Sequence, residues 1–416
     1  MKLGIITSGD FFSTYGGGQV YVKNLVNELI RQGIDLFIVS LHPSFSKTWE
    51  QKEHNHTLLF EGHPTCDIQQ LLAENKPDIV HAHGEKGRVA IACKELNIPC
   101  VVTAHHGGIL CPAGTLLNHK DTICHTKVCH KHCLPCYLRT IRSGKYWYPL
   151  LKHYNPIKYI HWGQKLQSIR FIPFVSPIGQ AALSIQQRKE QWQTIKHNST
   201  SIIAPSDAIR DSMIINGADK DKIAVIPHGI PLPPRPTDIP HDNITRFYYV
   251  GRITRIKGIH VMIEAFHSLC DNSIELHIIG SSVTKSEQKY HQRLSNKYHS
   301  DKRIIWHGKV QDGSPLLDLT AQYDCLLHPT ICLEIFGLNI AEALSLNKYV
   351  IATRCGGAEM QITDGVNGTL IAPNDASAMA DAMRNYIASP IHPTSHSVIS
   401  IEEHATTLIQ HYKSLI

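Results

Sequence analysis

The 416-residue sequence predicts an α/β protein built from two doubly wound domains. Three observations predict this fold class. A strand–helix–strand pattern begins at residue 3, a second begins at residue 246, and a proline-rich stretch lies between them. The length agrees with two domains, because a single hydrophobic core rarely grows beyond ~250–300 residues.

The first pattern occupies residues 3–40. The segment LGIITS (3–8) is predicted as a strand, and a glycine-rich turn follows it. Apolar residues then recur at spacings of three and four from Val22 to Ile30, which places them on one face of a helix. Gly33 ends this helix and IDLFIVS (34–40) is the next predicted strand, so the segment forms a βαβ unit with a right-handed crossover.

The second pattern repeats this order. RFYYVG (246–251) is predicted as a strand, a basic loop follows, IHVMIEAFHSL (259–269) is predicted as a helix, and IELHIIG (274–280) as a strand. Five prolines between residues 230 and 243 indicate a linker. We therefore assign residues 1–230 to the first domain, 231–245 to the linker and 246–399 to the second domain. Residues 400–416 are predicted as a helix that packs back on the first domain.

Composition indicates a globular protein outside the bilayer. Apolar residues make up 42%, charged residues 18%, and the formal net charge is +6. No apolar run approaches the ~20 residues that cross a bilayer, and the first residues lack a signal-peptide pattern. Several cysteines lie singly in apolar runs, as reduced thiols do. We therefore expect a cytoplasmic protein.

Two stretches are candidate anion sites. Gly16, Gly17 and Gly18 open the first helix, where bare backbone N–H groups and the helix dipole favour negative charge. Arg252 and Lys257 follow a predicted strand of the second domain and could neutralise phosphate oxygens. The segment after the second strand, FIVSLHPS, lacks the acidic residue that would bind a dinucleotide ribose, which disfavours a dinucleotide site.

Several motifs carry a family resemblance. VGRITRIKG (250–258), CLEIFGLNIAEAL (332–344) and ATRCGGAEMQITDGVNGTLIAP (352–373) resemble segments of the retaining nucleotide-sugar glycosyltransferases of family 4. YGGGQVYV, PDIVHAHG, VVTAHH, IIAPSDAIRD and IAVIPHGI extend the resemblance over the first half. It implies the GT-B fold, which consists of two facing Rossmann-like domains, and a nucleoside-diphosphate sugar as donor.

The resemblance also implies roles for two carboxylates that seven residues separate. Glu342 matches the acid that receives the ribose hydroxyls, and Glu334 matches the acid near the hydroxyls of the transferred sugar. Arg252 and Lys257 match the cations that neutralise the diphosphate, so we expect transfer without a metal cofactor. The predicted donor-binding residues are Gly16, Gly17, Gly18, Arg252, Lys257, Gly280, Glu334, Phe336, Gly337, Leu338 and Glu342.

His105 completes the predicted catalytic set with Glu334, Arg252 and Lys257. It follows a first-domain strand and matches the histidine near the sugar in related enzymes. The family usually has Asp after this histidine, whereas this chain has His106. No nucleophile for a covalent intermediate emerges, which favours front-face transfer, in which the leaving phosphate takes the acceptor's proton.

A cysteine cluster interrupts the first domain. Cys124, Cys129, Cys133 and Cys136 are spaced by four, three and two residues, and histidines lie among them. Thiolates and imidazoles at this density suit a structural zinc ion. Reduced thiols and disulfides remain open alternatives for the same cysteines.

The segment from Thr122 to Lys189 contains no Asp or Glu and interleaves basic with aromatic residues. This pattern is typical of a membrane interface, where each basic group near an anionic surface contributes ~1 kcal/mol. A plain solvated surface and another polyanion are the alternatives; no nucleic-acid motif accompanies the segment, so we expect no nucleic-acid partner.

These observations lead to one principal hypothesis. The protein is expected to move a sugar from a UDP- or GDP-sugar to a lipid-linked oligosaccharide or polysaccharide precursor, such as a lipopolysaccharide or O-antigen intermediate, at the inner face of the membrane. The first alternative is a soluble transferase that uses a small or phosphorylated acceptor. The second is a non-catalytic scaffold, which predicts no donor binding.

Overall fold

The computed structural model describes residues 1–9, 11, 16–140, 176–233, 243–310, 316–393 and 398–416. Internal contacts divide the chain into two compact units. Unit 1 comprises Met1–Lys120, Cys124–Pro227 and Ile401–Ile416, and unit 2 comprises Asp121–Ile123 and His228–Ser400. Residues 234–242 of the predicted linker lie outside the described residues.

Unit 1 is built on an eight-stranded sheet with the order β3-β4-β2-β1-β5-β6-β7-β8 in its described part. Only β3 runs antiparallel there. The central strands are almost wholly apolar because helices cover both faces of such sheets. The strands are β1 (Lys2–Ser8), β2 (Asp35–Leu41), β3 (Glu50–His54), β4 (Thr57–Gly62), β5 (Ile79–Ala82), β6 (Cys100–Thr103), β7 (Ser201–Ala204) and β8 (Ile223–Val225).

The helices of unit 1 connect these strands. α1 begins at the glycine turn and buries Tyr21, Val22, Leu25, Val26 and Leu29. Four of these lie on the predicted apolar face, whose last member, Ile30, is half-buried, and Tyr21 was not predicted. The helices before unit 2 are α1 (Gly17–Arg31), α2 (Ile68–Asn75), α3 (Lys86–Glu95), α4 (His130–Thr140), α5 (Ser176–Asn198) and α6 (Asp207–Ile215).

Unit 2 contains a six-stranded parallel sheet with the order β11-β10-β9-β12-β13-β14 in its described part. The strands are β9 (Thr245–Val250), β10 (Ile274–Ile279), β11 (Ile304–Gly308), β12 (Cys325–His328), β13 (Tyr349–Thr353) and β14 (Gly368–Ile371). The helices are α7 (Ile259–His267), α8 (Lys285–Lys297), α9 (Leu316–Ala321), α10 (Leu338–Ser345) and α11 (Ala376–Ala388).

The last helix, α12 (Ile401–Lys413), follows unit 2 in sequence but belongs to unit 1. Buried polar contacts fix it there. The Tyr412 hydroxyl lies 2.6 Å from Nδ1 of His81, and Nε2 of His404 lies 2.7 Å from the Tyr21 hydroxyl. His81 is held on its other side by the Thr103 hydroxyl, 2.6 Å from Nε2.

Across the ranges that the structure describes, no helix combines the length and the apolar character needed to span a bilayer.

Candidate active site

In unit 2, two loops at the carboxyl edge of the sheet pack against each other. The loop after β9 ends at Gly258, and the loop after β12 begins at Pro329. A Cβ atom on Gly258 would lie 1.8 Å from the carbonyl oxygen of Pro329, and Gly258 has a φ of +70°. Only glycine fits this position. The N–H of Ile331 also donates to the carbonyl of Ile256 at 3.0 Å, so the two loops are held in fixed register.

This packing brings Lys257 and Glu334 together. The Lys257 ammonium donates to Oε2 of Glu334. His328 Nε2 lies 3.5 Å from the same oxygen, and the Thr330 hydroxyl donates to it at 3.4 Å. The backbone of Glu334 is fixed as well, because its N–H donates to the carbonyl of Cys355 at 2.7 Å. The sequence motif did not single out His328 or Thr330, although His328 ends β12 and Thr330 lies in the loop between β12 and Glu334.

Lys257 and Glu334 each shift the pKa of the other. Burial alone would raise the pKa of Glu334, but Lys257 and His328 hold this pKa far below its usual range. Burial alone would lower the pKa of Lys257, but Glu334 holds it above its usual range. Both groups are therefore charged across the physiological pH range, as a site for an oxyanion and hydroxyl groups requires.

Glu342 stands in a different environment. It lies on α10, eight positions after Glu334, and is half-buried. No described residue donates a hydrogen bond to its carboxylate, and burial raises the pKa of Glu342 to about 7. A desolvated carboxylate with free acceptor oxygens is suited to receive hydroxyl groups from a ligand.

Arg252 is held by the helix that follows β10. Its guanidinium donates to Oε1 of Glu287 at 2.6 Å. Glu287 belongs to a capping box with Thr284 at the start of α8, so its carboxylate is itself positioned by backbone N–H groups. Glu287 was not predicted as a site residue, although Thr-x-x-Glu at the start of a helix is the usual signal of a capping box.

The apolar residues between the two glutamates anchor their loop. Phe336 is buried against Ile230 and Ala341, and Leu338 packs beside this cluster. Gly337 precedes α10 with a φ of +87°, and a Cβ atom on Gly357 would lie 2.4 Å from the Phe336 carbonyl oxygen. The glutamates are thus fixed by close backbone packing.

Gly280 follows β10 at the same edge. A Cβ atom there would lie 1.8 Å from the carbonyl oxygen of Gly251, so the ends of β9 and β10 meet without side chains between them. Both glycine N–H groups are used within the sheet, because Gly251 donates to the carbonyl of Ile279 at 3.0 Å and Gly280 to that of Gly308 at 2.8 Å.

In unit 1, the glycine turn lies beside His105. Gly16 precedes α1 with a φ of +89°, α1 begins at Gly17, and a Cβ atom on Gly18 would lie 3.7 Å from Cβ of His105. His105 Nε2 lies 2.7 Å from Nδ1 of His83, and its ring packs against Tyr21.

His106 caps the short 3₁₀ turn that follows it. Its Nδ1 accepts a hydrogen bond from the backbone N–H of Gly108 at 3.0 Å, as a helix-capping carboxylate would. Because Nδ1 is an acceptor, the ring proton of neutral His106 resides on Nε2. Burial, followed by Lys86 and Arg188, lowers the pKa of His106.

Comparisons with known proteins agree with this geometry. The model of Glycosyl transferases group 1 matches residues 237–402, and the model of Glycosyltransferase Family 4 matches residues 15–121. The two models lie in different halves of the chain, and each half resembles the glycosyltransferases that its model describes.

Individual members of the family are distant. A D-inositol 3-phosphate glycosyltransferase of Xylanimonas cellulosilytica is 27% identical over 210 residues, which are 45% of this chain and 50% of the relative. The match thus spans about half the length of the curated relative. Sucrose-phosphate synthase of Thermosynechococcus elongatus has a TM-score of 0.69 at 17% identity, covering 100% of this chain and 98% of that chain. Anabaena HepE, solved with UDP and glucose, has a TM-score of 0.64 at 17% identity, with 100% of both chains covered. The predicted GT-B fold is confirmed.

Among the predicted site residues, Gly16, Gly17, Gly18 and His105 lie in unit 1, and the others lie in unit 2. Within unit 2, Lys257 and Glu334 are in contact, whereas Arg252 contacts Glu287.

The cysteine insertion is partly ordered by backbone contacts. The N–H of Cys124 donates to the carbonyl of Leu116 at 2.8 Å, and Cys129 precedes α4, which carries Cys133 and Cys136. All four thiols are free, and in the described part of the chain no three His, Cys, Asp or Glu side chains are placed to hold a metal ion. Burial raises the pKa of Cys133 to about 12 and that of Cys136 to about 11. The structural zinc stays a prediction.

The sequence contains one Asp-x-Asp triplet, Asp219–Asp221, a pattern that binds divalent metals in many transferases. It forms a 3₁₀ turn before β8, and Asp219 Oδ1 accepts from the N–H of Asp221 at 3.1 Å. The first aspartate is thus used to cap the turn.

The basic and aromatic segment from Thr122 to Lys189 is described only at its ends, because residues 141–175 lie outside the described residues. Its membrane-interface interpretation stays a prediction.

Proposed function

We propose that the protein transfers a sugar from a UDP- or GDP-sugar to a saccharide acceptor, with retention of configuration and without a metal ion. The observation that carries the proposal is the carboxyl edge of unit 2. There Glu334, which pairs with Lys257 from the loop after β9, lies in the same loop and helix segment as Glu342, whose carboxylate receives no hydrogen bond from the described residues.

Each group suits one part of such a donor. The Glu342 carboxylate would accept from the two ribose hydroxyls, and such charge-assisted hydrogen bonds contribute about 1.5–3 kcal/mol each. Glu334 would accept from a sugar hydroxyl. Lys257 has one N–H committed to Glu334, which leaves two for the diphosphate, and Arg252 adds a forked donor.

The same cations would support the chemistry. The diphosphate is the leaving group, and its negative charge grows as the glycosidic bond breaks, so fixed cations stabilise the transition state more than the ground state. A leaving phosphate oxygen would take the proton of the attacking acceptor hydroxyl on the same face of the sugar.

The comparisons support this reading of the donor. HepE is described in complex with UDP and glucose, and the Xylanimonas relative is named for glycosyl transfer to D-inositol 3-phosphate. HepE shares the fold at 17% identity, so a screen of nucleotide sugars has to identify the base and the sugar of the donor.

For the acceptor, we propose a lipid-linked saccharide presented at an anionic membrane surface, with the basic and aromatic segment around residues 122–189 as the contact. Flotation with vesicles of phosphatidylglycerol and phosphatidylcholine at physiological salt tests this. Retention supports a membrane-bound acceptor, and no retention favours the soluble enzyme.

A thermal-shift screen against UDP- and GDP-sugars tests the donor site. One nucleotide sugar is expected to raise the melting temperature of the wild type. Glu342→Gln should abolish that rise without lowering the melting temperature of the unliganded protein. Glu264→Gln, an exposed glutamate on α7, is the matched control and should respond as the wild type.

Two results would overturn the proposal. The absence of binding by every nucleotide sugar would favour a scaffold, and transfer that stops with chelator and returns with manganese would contradict the metal-independent mechanism. The anomeric configuration of the product, read by NMR, tests retention separately.

A further inference from the structure

Three cations lie in the loop between β9 and α7 of unit 2 (residues 251–258, the β9 loop), and a different carboxylate holds each of them. The pairs are Arg252–Glu287, Arg255–Asp121 and Lys257–Glu334. The first and the last pair are part of the site described above. Arg255 and Asp121 lie 134 positions apart in sequence, so Asp121 reaches this loop from a distant part of the chain.

Asp121 stands out in the sequence by its charge. It is the only Asp or Glu among residues 96–189, a stretch that is otherwise neutral or basic. Its contacts also differ from those of the residues around it, because Asp121–Ile123 belong to unit 2 whereas Lys120 and Cys124 belong to unit 1. The single acid of this stretch thus pairs with an arginine of the β9 loop.

The two side chains form a forked ion pair. Both Nη atoms of Arg255 donate to Asp121, one to each carboxylate oxygen, and both distances are 2.9 Å. The Asp121 side chain is only 18% exposed, so water and salt screen the pair weakly. These hydrogen bonds raise the pKa of Arg255. Two parallel charge-assisted hydrogen bonds fix the orientation of the guanidinium as well as its distance.

The turn that carries Asp121 is fixed by its own contacts. The Asn118 side chain accepts a hydrogen bond from the N–H of Lys120 at 2.8 Å. Asp121 has a φ of +62°, a conformation that Asp adopts more readily than most residues. Ile123 packs against the apolar cluster of unit 2 that contains Ile340 of α10. The carboxylate is therefore a fixed acceptor for the guanidinium.

On the other side of the pair, Arg255 begins the 3₁₀ turn Arg255–Lys257. The N–H of Lys257 donates to the carbonyl of Thr254 at 3.2 Å, which links the end of the turn to its beginning. The N–H of Gly258 donates to the carbonyl of Arg255 at 3.0 Å and links the turn to the start of α7. A residue that fixes Arg255 therefore also fixes the direction from which the Lys257 ammonium meets a ligand.

We propose that Asp121 is a positioning residue for the nucleoside diphosphate, which holds the β9 loop through Arg255 so that Lys257 meets the diphosphate. This inference rests on the proposed transferase function. Because Asp121 is an anion, its charge alone would repel a diphosphate. Its positioning effect and its charge effect thus have opposite signs, and one substitution separates them.

The test is calorimetric titration of UDP and GDP into the full chain. The diphosphate that the wild type binds is then titrated into Asp121→Asn, which should bind it about tenfold more weakly because Lys257 loses its fixed position. The nucleoside of the same base, uridine or guanosine, carries no phosphate. Its affinity, measured by saturation-transfer NMR, should be equal in the wild type and in Asp121→Asn.

Asp301→Asn is the matched control. Asp301 accepts two hydrogen bonds from the Arg303 guanidinium, at 2.7 and 2.9 Å, and precedes β11 at the opposite edge of the same sheet. This variant loses an ion pair of the same kind in the same unit, and it should bind the diphosphate as the wild type does.

A double variant tests whether Asp121 acts through Arg255. Asp121→Asn/Arg255→Gln should bind the diphosphate no more weakly than Arg255→Gln alone, because the two residues act as one pair. Losses that multiply in the double variant would show that the two side chains act independently, and this would overturn the inference.

The inference is also overturned if Asp121→Asn binds the diphosphate as tightly as the wild type or more tightly, since tighter binding would mean that only the charge of Asp121 reaches the ligand. Equal weakening of the diphosphate and the nucleoside would show general damage to unit 2 and would overturn it as well. Each of these results leaves binding by the wild type intact and rejects this inference alone. A wild type that binds neither diphosphate and no nucleotide sugar rejects the proposed function.

Discussion

Two lysines lie beyond the carboxyl ends of parallel strands, one in each unit, and have opposite surroundings. Lys86 follows β5 in unit 1 and Lys257 follows β9 in unit 2. Lys257 contacts Glu334, which holds the pKa of the lysine above its usual range, whereas burial lowers the pKa of Lys86 to about 8. Lys257 is thus paired with a carboxylate, and Lys86 forms no ion pair with a carboxylate among the described residues.

The comparison predicts the largest effect at the matched cation. Lys257→Met should lower the free energy of unfolding by about 3–5 kcal/mol, because it leaves the Glu334 carboxylate buried without its main partner. Urea unfolding of the unliganded protein measures this loss. The double variant Lys257→Met/Glu334→Gln should recover most of it, and a single-variant loss below about 1 kcal/mol would contradict the interpretation.

A second prediction concerns pH and unit 1. Burial lowers the pKa of His81 to about 3 and that of His404 to about 4, against 6.5 in the unfolded chain. The stability linked to these neutral imidazoles is complete above pH 6.5 and is lost as the pH falls toward the folded values. Each should cost about 1.4 kcal/mol per pH unit in that window.

Hydrogen exchange at pH 7 and pH 5 measures the loss of protection in each unit separately. Peptides of β5 and α12, which carry these histidines and their partners, should lose protection at pH 5. Unchanged protection there would show that the two histidines are solvated in solution.

A third prediction concerns Glu342, whose carboxylate receives no hydrogen bond from the described residues. The pKa of Glu342 is about 7 in the folded protein and 4.5 in the unfolded chain, so stability falls as the pH rises through this window. Glu342→Gln should therefore stabilise the unliganded protein at pH 8 by about 1–3 kcal/mol. The gain should fall below about 0.5 kcal/mol at pH 4.5, where the carboxyl is protonated in the folded protein and half protonated in the unfolded chain. A loss of stability at pH 8 would mean that the carboxylate has a structural partner.

The smallest effect on stability is expected at Arg188 in unit 1. Arg188→Gln should change the free energy of unfolding by less than about 0.5 kcal/mol, because no described residue accepts a hydrogen bond from its Nε atom and the glutamine amide keeps a polar group at this position. The same urea experiment measures it. A loss above about 2 kcal/mol would show that the guanidinium has a structural role.

The sequence predicts features whose signals are local. The strands at residues 3–8 and 274–280 and the helix that buries Leu25 and Val26 appear where hydrophobic periodicity predicts them. The GT-B fold was predicted from family motifs and is confirmed. The antiparallel strand β3, EQKEH, was not predicted, because its charged residues give no apolar alternation and its pairing with β4 alone makes it a strand.

Only the site residues that share one motif were predictable together. Glu334 and Glu342 lie in a single stretch, whereas Lys257, which pairs with Glu334, comes from another loop and is 77 residues away in sequence. Asp121 was missed for the same reason. It lies 134 residues from Arg255, and only the fold shows that the two form a pair.

The position of α12 has a consequence for biosynthesis. The first unit has to wait for the last residues of the chain, because His81 gains its hydroxyl partner from Tyr412 and Tyr21 of α1 gains its imidazole partner from His404. The portion of the chain that is made first therefore matures last, and until then the surface that α12 covers stays open to chaperones and proteases.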